Sequence, residues 1–412
     1  MIDKAVILST GDELVSGRVV DTNSAVIADR LSSVGIEVAA VLQVGADREK
    51  VLWALDQARC LGDLVIGTGG LGPTVDDLTT EAVVEFLGRE LKQDEPIAES
   101  LKRRFEASGT VWTANNLKQA LFPEGATTIP NPVGTTAGFR ISVEPGRTLI
   151  WLPGAHQEMA AMLSETVIPW VVQQRMNAEQ ILACTFKIHG LTETKLDDLL
   201  KAVKLDSQAK LSFRAHYPDL AVRLTTKDGQ GRERVFERLR DEIRKLLGSY
   251  IYAEGDVSLE EIVGEMLLKK QLTLSLAESC TGGYISHRIT RIGGSSAYYY
   301  GGAVTYSNEA KVCFLGVHST ILKKFGAVSR ETSLAMSRGI KERTGASIGL
   351  SVTGIAGPSG GTPEKPVGTV WISIAQPNRH EAQLFRFHGE RERIILGASQ
   401  AALNWLRRAL QE

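Results

Sequence analysis

The chain has 412 residues, too many for one ordinary domain, so two or three domains are expected. Its net charge of −1 excludes a protein that wraps nucleic acid through a broad basic surface, and its 43% hydrophobic content suffices for a buried core. Cys60, Cys184, Cys280 and Cys313 form no CxxC pair, which argues against a disulfide framework and a zinc site. With no run of about 18 apolar residues either, we expect a cytoplasmic protein without a membrane segment.

Short β-branched runs alternate with helix-period segments in the first third of the chain. Strands are predicted at Ala5–Leu8, Val38–Val44 and Leu64–Thr68. Helices are predicted over Asn23–Val34 and after Asp47, which can cap the second one. This alternation predicts a parallel sheet covered on both faces, with ligands bound at the carboxyl ends of its strands.

Acids and glycines gather in three loops at that edge, within Thr10–Leu14, Asp21–Asn23 and Gly67–Thr79. Glycines allow a pyrophosphate to lie against backbone amides, and clustered carboxylates suit a hard divalent cation. Helix capping after a tight turn is the alternative for a single acid such as Asp77 or Asp21.

The segment from residue 171 to 254 differs from the first third because it is richer in charge. It contains two strand-like runs, Cys184–His189 and Leu220–Thr226, each next to an amphipathic helix. One of these helices, Arg232–Leu247, has apolar residues on one face, so its basic side chains are interpreted as the solvated face. We expect a small α+β connecting domain.

From residue 255 the alternation of helices and strands resumes. A helix is predicted over Leu259–Lys270 and a strand over Leu272–Ala277, followed by a small polar loop that opens a helix. The later predicted elements are a helix near Arg330–Thr344, strands at Ala346–Thr353, Thr369–Ala375 and Ala382–Phe387, and a terminal helix.

Three segments of this last part contain more polar and glycine residues than folding requires: Leu276–Gly283, Tyr298–Lys311 and Ser351–Pro363. Ser279, at a helix start, is open to three interpretations: a nucleophile, a phosphate ligand or an N-cap. Lys311 is either a desolvated base, able to accept a proton from a serine, or a solvated surface lysine. The third segment is suited to cradling a phosphate or an oxyanion with backbone donors.

The motifs AESCTGG, VTYSNEAK, GAVS, GIAGPSGG and KPVGTVW, in this order, resemble the C-terminal domain of the CinA (competence/damage-inducible protein) family. That domain is similar to stand-alone nicotinamide mononucleotide deamidases. The resemblance implies a serine amidohydrolase without a cofactor, in which Ser279 is the nucleophile and Lys311 its base. It further implies that Tyr306 orients the lysine or the substrate, and that Thr353 and the Gly354 amide contact the serine or the oxyanion.

The resemblance also implies a set of substrate contacts in this domain: Cys280, Thr281, Gly282, Gly283, Ser295, Ser296, Asn308, Gly354, Gly357 and Arg391. The sequence departs from the family pattern at Ile395, where the family has a second arginine, and Arg393 is interpreted as its replacement. Cys280 is a rival nucleophile by position, but no histidine stands in the motif to activate it.

The N-terminal loops, together with Asn131–Thr135, Leu152–Gly154 and Glu158–Met159, resemble the MoaB/MogA-like molybdopterin-binding domain at the N-terminus of CinA proteins. The resemblance implies a three-layer domain that acts as an ADP-ribose pyrophosphatase with a divalent metal such as Mg²⁺ or Co²⁺. The implied metal ligands are Asp12, Glu13, Asp76 and Asp77. The implied substrate contacts are Asn23, Gly69, Gly70, Gly72, Thr74, Asn131, Gly134 and Thr135.

Two departures from the family pattern lie beside this loop cluster. His156 stands where the family usually has a proline, and Thr136–Ala137 stand where it has an Ala-Pro pair. His156 is interpreted either as an extra ligand or as a tolerated loop residue.

The sequence thus predicts an α/β protein of three parts. Residues 1–170 form the molybdopterin-binding-like domain, residues 171–254 the α+β connector, and residues 255–412 the α/β amidohydrolase domain. We expect a homodimer that hydrolyses nicotinamide mononucleotide and ADP-ribose and has no nucleic-acid partner. Two alternatives stay open: an N-terminal domain that binds a pterin or is inactive, and a non-enzymatic adaptor in competence or repair.

Overall fold

The structure, a computed structural model, describes residues 2–74, 76–107, 109, 111, 113–174, 181–227 and 232–411. The chain divides into two compact units, which are described separately. The first comprises Met1–Ile181 with Lys227–Gln230, and the second comprises Leu182–Thr226 with Gly231–Glu412. Among the helices in the described ranges, none has both the length and the apolar character needed to cross a membrane.

The first unit contains eight strands and seven α-helices in its described part. The strands are β1 (Lys4–Thr10), β2 (Glu37–Val44), β3 (Leu64–Thr68), β4 (Leu91–Gln93), β5 (Leu121–Pro123), β6 (Thr127–Ile129), β7 (Gly138–Glu144) and β8 (Arg147–Leu152). The helices are α1 (Asp12–Val15), α2 (Thr22–Ser33), α3 (Arg48–Leu61), α4 (Thr79–Leu87), α5 (Glu95–Ala107), α6 (His156–Met162) and α7 (Ile168–Gln174).

Six of these strands form one sheet in the order β2-β1-β3-β8-β7-β6. The first four strands in this order are parallel, whereas β7 is antiparallel to both β8 and β6. The expected parallel pairing therefore holds for the first four strands and fails at β7, which runs in the opposite direction to both of its neighbours. The physical reason is a tight turn between Glu144 and Arg147, because a short connection can only join antiparallel neighbours.

Helices cover both faces of this sheet, which makes the unit three-layered. Along β1, Val6 and Leu8 belong to a core cluster that includes α3 and α4, while Ala5 and Ile7 belong to a cluster that includes α2 and α6. Alternate side chains of a strand point to opposite faces, so this division follows from the sequence of β1. The expected three-layer α/β architecture is confirmed.

The connecting part of the second unit is a four-stranded sheet with two helices. Its elements are β9 (Ile181–Ile188), α8 (Glu193–Leu200), β10 (Ala209–His216), β11 (Asp219–Lys227), α9 (Arg232–Leu247) and β12 (Ile251–Glu254). The strand order is β10-β11-β9-β12, and Phe186, Leu224 and Leu239 lie in its core. The sequence did not predict β10, which has polar residues at alternate positions, or β12, which has only four residues.

The rest of the second unit is a five-stranded mixed sheet surrounded by helices. Its strands are β13 (Leu274–Glu278), β14 (Tyr299–Val304), β15 (Ile348–Gly354), β16 (Thr369–Ala375) and β17 (His380–Arg386). Its helices are α10 (Leu259–Lys269), α11 (Tyr284–Thr290), α12 (Asn308–Leu315), α13 (Ser319–Phe325), α14 (Arg330–Thr344) and α15 (Arg391–Gln411). The order is β14-β13-β15-β16-β17, in which the first three strands are parallel.

Both faces of this sheet are also buried. Leu276 on β13 packs in a cluster with α10 and α15, and its neighbour Ala277 packs in a cluster with α12, α13 and α14. The contact between α12 and α14 is especially close at Gly339, where a Cβ atom would lie 1.9 Å from the Leu315 carbonyl oxygen. The two helices can approach this closely only because residue 339 has no side chain.

Several contacts within the second unit join the connector to α15, and two of them involve Gln400 and Arg393. Gln400, which is buried, donates through Nε2 to both carboxylate oxygens of Asp219 at 2.6 Å. The Arg393 guanidinium lies over the ring of Tyr217, 3.7 Å from its centroid. Arg393 is therefore engaged by an aromatic ring, and Ile395 packs against the core. The interpretation of Arg393 as a replacement for the absent arginine at position 395 is not supported.

Candidate functional sites

Ser279 and Lys311 meet at the carboxyl edge of the C-terminal sheet. Ser279 directly follows β13, and its backbone N–H donates to the Val352 carbonyl at 2.9 Å, which fixes it against β15. Lys311 lies in the first turns of α12, which follows β14, the other neighbour of β13. Its Nζ donates to Ser279 Oγ over 3.1 Å. A serine and an amine at this distance are arranged for proton transfer.

Lys311 is buried, with a side chain that is only 1% exposed. Its Nζ donates to the carbonyl oxygens of Thr305 at 2.8 Å and Tyr306 at 3.3 Å, and no carboxylate is paired with it among the described ion pairs. Burial lowers the pKa of Lys311 from its ordinary value, because desolvation disfavours the ammonium form. Lys311 is thus a desolvated lysine, and the interpretation of it as a solvated surface lysine is wrong.

Replacing Lys311 by methionine is expected to raise the melting temperature at pH 7. The pKa of Lys311 is lower in the folded state than in the unfolded state, so the unfolded state binds more protons as the pH falls below about 10.4. The wild type is therefore destabilised at neutral pH, and this penalty fades as the pH rises. Thermal unfolding of both proteins should show that the melting-temperature difference between Lys311→Met and the wild type is smaller at pH 10 than at pH 7. An equal difference at the two pH values would contradict a lowered pKa of Lys311.

The start of α11 is occupied by the chain's own carboxylate. Glu278 is 1% exposed and accepts from the backbone N–H of Gly283 (3.1 Å), Ile285 (3.1 Å) and Ser286 (2.9 Å), and from the Ser286 hydroxyl (2.7 Å). These are the amides that the sequence suggested for a substrate anion. Glu278 was not among the predicted site residues, although an acid at the end of the apolar strand LSLAE indicates a buried carboxylate with polar partners. Ser279 is not the side-chain cap of α11.

Arg391 connects two of the loops that surround the serine. Its Nη2 donates to the Tyr306 hydroxyl at 2.8 Å and its Nη1 to the Gly357 carbonyl at 2.6 Å. Three residues predicted for this site are therefore in one hydrogen-bonded group. Tyr306 itself is 61% exposed, and it is its backbone carbonyl that contacts Lys311.

The other predicted residues of this site differ in position. Thr281 is buried, and its hydroxyl has no hydrogen-bond partner in the described part of the chain. Thr353 does not bond to Ser279: its hydroxyl donates to the Ala327 carbonyl at 2.9 Å. A Cβ on Gly354 would lie 3.1 Å from Cys280 Sγ, which places this glycine against the loop that contains Ser279 and Cys280.

Four further predicted residues are less tightly connected. Ser295 and Ser296 begin a short 3₁₀ helix before β14, Asn308 is the exposed first residue of α12, and Gly282 has a left-handed φ of 61°. No described hydrogen bond joins these four side chains or backbones to Ser279 Oγ or Lys311 Nζ.

Cys280 is buried, and burial raises the pKa of its thiol to about 12. The thiol is therefore neutral at physiological pH and is not a competing nucleophile. We expect iodoacetamide at pH 8 to modify the exposed Cys60 and Cys313 in the native protein while Cys280 reacts only after denaturation. Peptide mass spectrometry with and without guanidinium measures this order, and labelling of Cys280 as fast as Cys313 would refute it.

A second site lies in the first unit, at the carboxyl ends of β1, β3 and β8, where a cavity of about 490 Å³ opens. Seven predicted residues line it: Glu13, Asn23, Gly69, Gly70, Gly72, Asp76 and Asp77. Residues that the sequence analysis did not assign also line it, among them Thr10, Asp21 and Glu158. Its charged lining is acidic, because the lining residues include five carboxylates and neither lysine nor arginine.

The glycines of this cavity are required by packing. Gly69 and Gly70 have left-handed φ values of 100° and 67°, and their Cβ atoms would lie 2.3 Å from the Thr10 carbonyl oxygen and 2.1 Å from Thr79 Oγ1. The Gly69 carbonyl also accepts from the Trp151 indole at 2.8 Å. The glycine loop is thus tied to the sheet beneath it.

The predicted metal ligands do not form a preformed site. In the described part of the chain, no three acidic, histidine or cysteine side chains are grouped so that they could hold a metal ion. Asp12 is not among the cavity-lining residues and accepts from the Ala46 backbone N–H at 3.0 Å. Asp77 accepts from the backbone and hydroxyl of Thr74 at 2.9 and 2.6 Å, within its own loop, and it does not cap α4, whose N-cap is Leu78. The donor set therefore does not fit a preformed metal centre.

The remaining predicted contacts of this unit are outside the cavity lining. Asn131 accepts from Val133 N–H and Gly134 N–H at 3.0 and 2.8 Å, and donates to the Thr136 carbonyl at 2.9 Å. Thr135 is exposed. Thr74, Asn131 and Gly134 hold the loops around the cavity, so their roles in the structure are those of loop supports.

Comparison with known proteins identifies three family models along the chain. Residues 6–173 match the family described as "Probable molybdopterin binding domain", residues 184–253 the "Damage-inducible protein CinA KH domain", and residues 256–410 the "CinA C-terminal domain". The CinA-like protein of Geotalea uraniireducens (strain Rf4) is 43% identical over 411 residues, which is 99% of this chain and 97% of that protein.

A second CinA-like protein, from Geotalea daltonii (strain DSM 22248 / JCM 15807 / FRC-32), is 42% identical over 99% of both chains. Among solved structures, the competence/damage inducible protein CihA from Agrobacterium tumefaciens is 41% identical. It covers 38% of this chain and 98% of its own, with a TM-score of 0.36. The similarity to the Geotalea proteins runs over nearly the whole of each chain, so this protein belongs to the CinA family.

Proposed function

We propose that the C-terminal domain hydrolyses the carboxamide of nicotinamide mononucleotide to nicotinate mononucleotide and ammonia. The observation that carries the proposal is the 3.1 Å contact between Ser279 Oγ and the buried amine of Lys311. A lysine with a lowered pKa is neutral in a larger fraction of molecules and can then accept a proton. The resemblance of the surrounding motifs to nicotinamide mononucleotide deamidases supplies the substrate.

In the proposed reaction, neutral Lys311 accepts the hydroxyl proton while Ser279 Oγ attacks the carboxamide carbon. The lysine then gives this proton to the departing nitrogen, which leaves as ammonia and leaves an acyl ester on Ser279. Water attacks the ester, its proton passes through the lysine to Ser279 Oγ, and nicotinate mononucleotide is released. The backbone amide of Cys280 is our assignment for an oxyanion donor, because acyl-transfer sites commonly use the amide after the nucleophile.

Two further features support a polar ligand at this site. The buried hydroxyl of Thr281 has no partner in the described chain, and a ligand atom would satisfy it. Arg391 is a cation beside Tyr306 and the Gly357 loop, where we place the phosphate of the substrate. Because Arg391 is alone in this role, we expect the phosphate to contribute less than two arginines would.

Ammonia release by the purified full-length protein tests this proposal. We expect release from nicotinamide mononucleotide in the presence of EDTA, weaker release from nicotinamide riboside, and none from free nicotinamide within the same time. Equal rates with the three amides would reject the phosphate assignment. No release from any of them would reject the deamidase function.

The cavity of the first unit supports a second candidate function, the hydrolysis of ADP-ribose to AMP and ribose 5-phosphate. Its glycine loop and its size are suited to part of a nucleotide. We propose that this activity needs added Mg²⁺ or Co²⁺. Metal-dependent AMP release supports the proposal, whereas pterin binding without AMP release would favour a pterin-binding role.

The ligands that we propose are therefore small nucleotides. We further propose that the protein is a homodimer and is cytoplasmic. Light scattering measures the oligomeric state. Salt-dependent binding to DNA by the purified protein would instead favour the adaptor alternative.

A further inference from the structure

His156 lines the acidic cavity of the first unit, at the start of α6. Its Nδ1 lies 2.9 Å from Asn23 Oδ1, and no described hydrogen bond involves its Nε2. It is the one imidazole in the described lining, whose other side chains are carboxylates, hydroxyls, the Asn23 amide and apolar groups. The hydrogen-bonding state of Nε2 therefore matters for what the cavity can bind.

The orientation of the Asn23 amide is fixed by two groups. Its Nδ2 donates to the Gly154 carbonyl at 2.7 Å, and a carbonyl can only accept. Nδ2 also lies 3.4 Å from Thr68 Oγ1, whose single proton is donated to the Pro153 carbonyl at 2.9 Å, so the threonine accepts from the amide. Both contacts require nitrogen on that side of Asn23, and hence oxygen on the side that faces His156.

This orientation fixes the tautomer of the histidine. Because Asn23 Oδ1 is an acceptor, Nδ1 of His156 carries the proton and donates it. In the neutral ring, Nε2 then has a lone pair and no proton. The chain Thr68–Asn23–His156 thus presents one defined hydrogen-bond acceptor at the cavity.

The surroundings decide which part of a ligand such an acceptor would meet. Five carboxylates line the cavity with His156: Glu13, Asp21, Asp76, Asp77 and Glu158. A described lining rich in acceptors and without lysine or arginine favours those groups of a nucleotide that donate hydrogen bonds. Sugar hydroxyls are the donors that a nucleotide offers in greatest number.

We propose that His156 is a ligand-binding residue whose Nε2 accepts a hydrogen bond from a ribose hydroxyl of a nucleotide, and that Asn23 is its positioning residue. The proposal rests on the nucleotide-hydrolysing function proposed above for this cavity and extends it to a sugar contact. It assigns to Asn23 a role one step away from the ligand, whereas the sequence placed Asn23 in direct contact.

Nitrogen-15 NMR of histidine-labelled full-length protein tests the proposal, with His156→Phe used to assign the resonance. We expect the ligand-free ring to be in the Nδ1–H tautomer, and the Nε2 resonance to move on adding ADP-ribose or ribose 5-phosphate. His156→Phe should weaken ADP-ribose binding about tenfold, as the loss of one hydrogen bond predicts. Asn23→Ala should give mixed tautomers, and the matched control His388→Phe, at an exposed histidine of the other unit, should bind normally.

Any of three NMR results would overturn the proposal, and so would an unchanged ADP-ribose affinity in His156→Phe. The first is an Nε2 resonance that neither sugar phosphate moves. The second is the same shift with inorganic pyrophosphate, which would make His156 a phosphate contact, and the third is a shift with Mg²⁺ alone, which would make it a metal ligand. AMP release is measured separately. Its absence together with the Nε2 shift would reject the hydrolase function and leave the ribose contact in place. Unchanged hydrolysis and affinity in His156→Phe would reject the ribose contact and leave the hydrolase function in place.

Discussion

Replacing Ser279 by alanine is expected to reduce ammonia release from nicotinamide mononucleotide by about 10⁴-fold or more. The variant lacks the oxygen that attacks the carboxamide, while the buried Lys311 beside it stays in place. Lys311→Ala is expected to cause a loss of similar size, because without the amine no group accepts the serine proton. The double variant should be little worse than either single variant, since the two residues act as one unit.

The measurement is steady-state ammonia production with EDTA present and with circular dichroism of each variant to verify folding. Ser319→Ala and Lys323→Met, at exposed positions on α13, are the matched controls and should keep the wild-type rate. A loss of less than about tenfold in Ser279→Ala would disprove the nucleophile assignment. Additive losses in the double variant would show that serine and lysine act independently.

The second large effect concerns the contact between α12 and α14. Gly339→Ala is expected to lower the free energy of unfolding by about 2 kcal/mol or more, although alanine favours a helix over glycine by about 1 kcal/mol. The added methyl group would lie 1.9 Å from the Leu315 carbonyl oxygen, and a backbone atom cannot rotate away as a side chain does. The two helices must therefore move apart.

This displacement should also reduce catalysis, because α12 carries Lys311 one turn before Leu315. A misplacement of about 1 Å can cost roughly 10²-fold in rate. Urea unfolding measures the stability, and ammonia release measures the rate. Gly293→Ala is the control, since its Cβ would meet no atom within 4 Å, and it should change stability by no more than about 0.5 kcal/mol. A stability of Gly339→Ala equal to that of the control would contradict the packing argument.

The pairing of Ser279 and Lys311 was implied by the resemblance to the CinA family, and the fold explains why they meet. They come after β13 and β14, which are parallel neighbours in the structure, and the carboxyl ends of parallel neighbours lie at one edge of a sheet. Helix caps are local: Asp47 accepts from Glu49 N–H at 3.0 Å and caps α3 as expected. Features determined within a few residues were therefore accessible from the sequence.

The sequence did not reveal which hydrogen-bond partner each polar side chain takes when several are possible. An acid at the end of a strand has the same pattern whether it binds a ligand or its own backbone, and only the fold shows that Glu278 bonds to three amides of α11. The family resemblance likewise implied an oxyanion or serine contact for Thr353 and a metal contact for Asp77, yet their side chains bond to Ala327 and Thr74. Long-range geometry decides which partner each polar group takes.

The contact between Gln400 and Asp219 makes the connector part of the chemistry of the last helix. Gln400 is 1% exposed in the intact chain, and cutting away the connector would remove both the carboxylate that accepts from its amide and the ring on which Arg393 rests. The same helix begins with Arg391, whose Nη2 donates to the Tyr306 hydroxyl. A fragment starting at residue 255 would therefore lose two partners of α15, and a shortened form of this chain calls for substitutions at Gln400 and Arg393.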